Sequence, residues 1–135
     1  MSESPRYFED CEAAVDAILE RLGNHIVLGL PLGLGKANHL VNALYRRACA
    51  DPRLSLSILT ALTLEKPRPG SELEKRFLQP ISARLFDAYP SLDYALAVRA
   101  GELPDNIVFK DFFLQSGQWL GVPQAQQHYA SINYT

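Results

Sequence analysis

Cysteine is scarce in this chain. Cys11 and Cys49 stand 38 positions apart, a spacing that makes neither a metal pair nor a disulfide framework. Charge of one sign is also lacking. Thirteen Lys and Arg face 15 Asp and Glu, for a net charge of -2. The strong basic excess of a nucleic-acid binder is therefore missing. No stretch approaches the roughly 18 unbroken apolar residues of a membrane-spanning helix. The first residues, Met1-Ser-Glu-Ser-Pro5, have neither the basic start nor the apolar run of a secretory signal. His25, His39 and His128 share no ligand spacing with a cysteine or carboxylate. These absences set the first expectations: a cytoplasmic chain with no metal, no nucleic-acid partner and no membrane partner.

What is present is a chain of 135 residues, 47% of them apolar. That suffices for one core and is too hydrophobic for disorder. From Phe8 to Leu22, the residues Cys11, Ala14, Val15, Ile18, Leu19 and Leu22 recur at helical spacing, with Gly23-Asn24 as a stop. Cys11 falls on the apolar stripe and reads as a core residue. Ile26-Val-Leu-Gly-Leu30 is continuously apolar, which predicts a strand buried on both faces of a parallel sheet. Ala37 to Ala48 reads as a helix and Leu54 to Ala61 as a second strand, so the first half predicts a βαβ unit.

Glu65-Lys-Pro-Arg-Pro-Gly70 reads as a loop. Ser71 and Glu74 fit a capping box for a helix with Leu73, Phe77, Ile81 and Leu85 on one face. Pro80 is expected to kink or split that helix. Ser91 to Ala100 predicts a shorter helix, Ile107 to Phe109 a third strand, and Pro123 to Tyr129 a last helix. The fold class expected is α/β, with an open, mainly parallel sheet and flanking helices.

The loop Gly29-Leu-Pro-Leu-Gly-Leu-Gly-Lys36 carries the chemistry. Ligands in open α/β sheets bind beyond the carboxyl ends of the strands. Glycines there let backbone N–H groups meet an anion, beside the positive end of the following helix. It is not a Walker A loop, because Leu30 stands where the first glycine belongs and Ala37 replaces the hydroxyl residue. It is not a dinucleotide fingerprint either, because Asn38 and Pro31 occupy required small positions. Gly29, Pro31, Gly33, Gly35 and Lys36 are the candidate binding residues. Lys36 reads as a cation for an anionic ligand or as a solvated lysine in the first helical turn. His39 could donate to a ligand oxygen or be a partly buried structural histidine. Glu65 could be a nucleophile or base, or a solvated loop charge.

The run from Ile26 through the glycine loop to Leu44 resembles the first strand, loop and helix of the acetyl-CoA hydrolase/transferase family, which belongs with the class I CoA-transferases. Gln126-Gln-His-Tyr-Ala-Ser-Ile-Asn-Tyr-Thr135 is similar to a segment that closes the early part of those enzymes. The loop at 65–70, the helix after it and Pro104-Asp-Asn106 follow in matching order. Many relatives carry proline where this chain has Ala37. The resemblance implies the N-terminal portion of an acyl-CoA hydrolase or CoA-transferase, one fragment of a longer two-half chain. It implies a catalytic glutamate outside these residues, so no catalytic residue is expected here. Coenzyme A thioester is implied as substrate, with no permanently bound cofactor. The implied partners are acyl-CoA, a small carboxylic acid, and the remaining half of the enzyme or a homo-oligomer. A different class of reading is a stand-alone module that holds a small anion without catalysis.

Overall fold

The computed structural model of the chain describes residues 4–61, 63, 70–86, 88–112, 119 and 121–127. Helix α1 (Cys11–Leu22) starts where Asp10 Oδ1 accepts the Ala13 N–H at 2.7 Å. This N-cap sets the helix start three residues after the expected Phe8. Strand β1 (His25–Gly29) follows Gly23, whose φ of 73° lies in the left-handed region. Next come α2 (Asn38–Ala50), β2 (Ser55–Thr60) and α3 (Glu72–Phe86). Then α4 (Asp93–Ala100), β3 (Ile107–Asp111) and α5 (Pro123–Gln127) complete the described elements. The expectations for Glu65, for His128 and for the end of the chain lie outside the described residues.

The three strands form one parallel sheet in the order β1-β2-β3. The fold is α/β with an open parallel sheet flanked by helices. Register stacks the inward residues in rows. Ile26 pairs with Leu56 and Leu56 with Ile107, Leu28 with Ile58 and Ile58 with Phe109, and the last row is Thr60 beside Asp111. Against these rows pack Val41, Leu44, Tyr45 and Ala48 of α2 and Tyr94, Ala95 and Val98 of α4. Trp119 closes the end of the core, edge-on to Phe109 at 5.7 Å and beneath the Arg99 guanidinium at 4.6 Å.

The structure departs from the sequence expectations in places. Strand β1 is not buried on both faces, because Val27 is 78% exposed. The strand order never reverses, and α2 and α4 lie together on one side of the sheet. The outward residues, Val27 and Leu59, are left uncovered among the described residues. Helix α3 runs unbroken through Pro80, so of the two outcomes expected, a kink or a split, the split does not occur. The apolar stripe of α3 forms as expected but points outward. None of that helix's described residues is buried, and Phe77 is 71% exposed. The predicted cap is present. Ser71 Oγ accepts the Glu74 N–H at 3.2 Å, while Glu74 Oε2 reaches back to the Gly70 N–H at 2.6 Å.

Arg46 and Arg47, which sequence spacing leaves on a solvated face, tie α2 to its neighbours. Arg47 meets Asp16 of α1 at 2.7 Å, and Arg46 meets Asp93 of α4 at 3.1 Å. Both cysteines are free, Cys11 half-buried against the core and Cys49 exposed.

Candidate functional site

The glycine loop leaves the carboxyl end of β1. Its first residue still belongs to the sheet, since the Leu30 N–H donates to Leu59 O at 2.9 Å. Gly33–Gly35 then forms a single 3-10 turn. Of the three loop glycines, Gly33 is the one demanded by backbone conformation, with φ at 61°. A Cβ at Gly29 would meet open space, and one at Gly35 would make ordinary contact with Pro31.

Lys36 lies just before α2 rather than in its first turn, and it is only 7% exposed. Its side chain turns back under the loop. Nζ donates to Pro31 O at 2.8 Å, Gly33 O at 3.1 Å and Ala61 O at 3.4 Å. The ammonium thus clasps the glycine loop to the end of β2, and it is not the solvated lysine of the simpler reading. In a trans peptide the N–H points opposite the C=O. With the Pro31 and Gly33 carbonyls drawn inward, the N–H groups of Leu32 and Leu34 are directed away from the ammonium. Burial pushes the Lys36 pKa below its ordinary value, and the charge of Asp111 partly offsets that.

Asp111 belongs to a buried polar group that sequence reading did not find. It closes β3, is 3% exposed and accepts from Thr63 Oγ1 at 3.2 Å. Thr60, its neighbour across the register, is fully buried, as is the Tyr94 ring beneath it. The Tyr94 hydroxyl has no partner of hydrogen-bond geometry. Its pKa rises to about 12, chiefly by burial, with the Asp111 charge adding to the rise and Thr63 opposing it. Lys36, Thr60, Thr63, Tyr94 and Asp111 therefore gather at the carboxyl ends of the strands, beneath the glycine loop. Their nearest sequence signal is weak: a threonine and an aspartate ending two apolar runs some 50 residues apart.

Beside the loop, the first turn of α2 borders an open groove of 390 Å³, faced by Tyr89 and Pro90. His39 lies here and is exposed, which corrects the expectation of a partly buried histidine. Asn38 is the buried residue instead, 4% exposed, with Nδ2 donating to Pro90 O at 2.8 Å. One turn on, Asn42 Nδ2 donates to Ser91 O at 2.7 Å and its Oδ1 accepts the Asp93 N–H at 2.9 Å. These two asparagines on one face of α2 hold the segment that leads into α4.

The structure thus brings Gly29, Pro31, Gly33, Gly35, Lys36 and His39 to the carboxyl end of β1. Lys36 faces inward there and His39 faces solvent. Glu65 is outside the described residues. No group of three metal-ligating side chains occurs among the described residues. No family model, curated protein or solved structure matches the chain.

Proposed function

We propose that the chain is the N-terminal portion of an acyl-CoA hydrolase or CoA-transferase, acting in the cytoplasm on a coenzyme A thioester and a small carboxylic acid. The observation that carries this reading is the loop from Gly29 to Lys36. It stands at the carboxyl end of a strand in a parallel sheet, within the same strand–loop–helix–strand order that the sequence resemblance rests on. A loop clasped from below by a buried ammonium, with peptide N–H groups directed away from it, is suited to meeting a developing oxyanion.

In that reaction a glutamate carboxylate outside these residues attacks the thioester carbonyl. The C–S bond breaks, CoA leaves as thiolate, and an acyl-glutamyl anhydride remains. The thiolate then attacks the glutamyl carbonyl, which releases the acyl group as a carboxylate and leaves a glutamyl-CoA thioester. A second carboxylate or water resolves that thioester. On this reading the 135-residue chain holds the loop and lacks the nucleophile. Incubated with acetyl-CoA, it should release no thiol above the uncatalysed rate. Robust turnover by the chain alone would overturn the assignment of the nucleophile elsewhere. The coding frame beyond Thr135 tests the other half: a second glycine-rich segment with a glutamate is expected, and an immediate stop codon would count against it.

A further inference from the structure

Two apolar surfaces of the chain have nothing against them among the described residues, and neither depends on the thioester reading. One is the outer face of the sheet. Its middle rows are Val27, Ser57 and Val108, then Gly29, Leu59 and Lys110, with Val27 and Leu59 exposed. The other is the stripe of α3, where Leu73, Phe77, Ile81 and Leu85 are all exposed. A parallel sheet is stable when helices cover both of its faces. An amphipathic helix likewise needs an apolar surface against its stripe.

The two surfaces match in size, shape and charge. Helix α3 has 15 residues, which make about 22 Å of helix. The strands have five or six residues, about 17 to 20 Å each. Three strands about 4.8 Å apart make a face about 10 Å across, the width of one helix. Gly29 lies opposite Leu59, and a Cβ there would meet open space. This leaves a notch between Val27 and Leu59 that can seat the Phe77 ring, the widest group of the stripe. The charged side chain on those two rows is Lys110, whereas α3 opens with Glu72 and Glu74.

The chain's own α3 is not the cover. It leads into α4, whose start is held by Asn42 of α2 on the opposite side of the sheet, and it buries none of its own residues. We propose that α3 of one copy covers the outer sheet face of a second copy, and the reverse, in a two-fold dimer. Phe77 anchors each contact in the notch at the partner's Gly29, with Glu72 and Glu74 directed to the partner's Lys110. Each chain gives one helix and receives one, so the dimer holds the same contact twice. Two such contacts bury on the order of 1,500 Å², the size of a standard specific interface, whereas one alone falls short of it.

Sedimentation of the full 135-residue chain from about 10 µM to 1 mM should show a reversible monomer–dimer equilibrium. Phe77→Asp removes the anchor from the helix, and Val27→Lys spoils the sheet face. Both positions are exposed, so each variant should keep the circular dichroism of the parent. Each variant alone should associate at least about tenfold more weakly, as for loss of an interface anchor. An equal mixture of the two should form a heterodimer more tightly than either forms a homodimer, because one intact helix then meets one intact face. A contact between two α3 helices would be lost in Phe77→Asp, untouched in Val27→Lys and not restored by mixing, and that pattern overturns the proposal. So does a parent chain that stays monomeric up to about 1 mM. If its α3 amides are then protected from exchange, the helix covers its own sheet. This last reading comes from the unaltered chain, so it stands even if a variant does not fold.

Discussion

At the scale of single residues, the buried polar group under the glycine loop makes the sharpest demands. Tyr94 keeps its proton in the folded chain up to about pH 12, whereas an unfolded tyrosine loses it near 10. Between those values the folded state binds more protons than the unfolded state, so stability falls as pH rises. The full loss due to Tyr94 is about 3 kcal/mol, by the two-unit difference at about 1.4 kcal/mol each. Tyr45 is shifted the same way by burial and by Cys49, which steepens the decline. Tyr94→Phe isolates one contribution. Urea unfolding of this variant should match the parent within about 0.5 kcal/mol at pH 7, because the hydroxyl it removes has no partner. Above pH 10 the variant should become the more stable of the two. A parallel decline in both proteins would refute the assignment. Sequence pattern reached Lys36 because it ends a glycine run. It could not reach Asp111 or Thr63, which join Lys36 only through strand register, nor could it show that the ammonium faces inward.

At the scale of elements, α4 has no N-cap side chain of its own, since Leu92 occupies that position. The cap comes from another helix, where Asn42 Oδ1 accepts the Asp93 N–H and Asn42 Nδ2 secures Ser91 O. Asn42→Ala loses both bonds and leaves two groups unpaired. It should cost about 2 to 3 kcal/mol of unfolding free energy in urea titrations, with faster hydrogen exchange concentrated in α4. Uniform acceleration across the chain would argue against a local cap. Asn106 performs a similar task, donating from Nδ2 to Ala48 O and Leu54 O at 2.8 Å each. It thereby joins the end of α2 to the start of β2. The helices and strands themselves were largely legible, because Val41, Leu44 and Ala48, or Leu56 and Ile58, repeat at the period of their element. The asparagines were not, because a polar residue inside a helix pattern gives no hint of which distant carbonyl it meets. Why Pro80 fails to split α3 lies in its surroundings. On a helix with no buried residue, the carbonyl that loses its N–H partner is free to turn to water.

At the scale of the whole molecule, the sheet face left uncovered among the described residues follows from the order of its strands. Continuous apolar sequence in β1 suggested burial on both sides, and composition carries no signal that Val27 and Leu59 stay exposed. The row Val27, Ser57, Val108 and its neighbour Leu59 form that face. The double substitution Val27→Lys with Leu59→Lys should change the unfolding free energy of the 135-residue chain, from urea titration, by no more than about 1 kcal/mol, as for exposed positions. It should also reduce binding of a hydrophobic dye and slow association of the chain at high concentration. A loss of several kcal/mol would mean that the face is already covered. The same strand order bears on how the chain acquires its shape. Each strand pairs with the one synthesised just before it, and the first connecting helix, α2, packs on the earlier helix α1. Among the described strands, none has to be slotted between two that came earlier. The sheet can therefore grow in the direction of translation, with early segments committed to their partners while later ones are still being added.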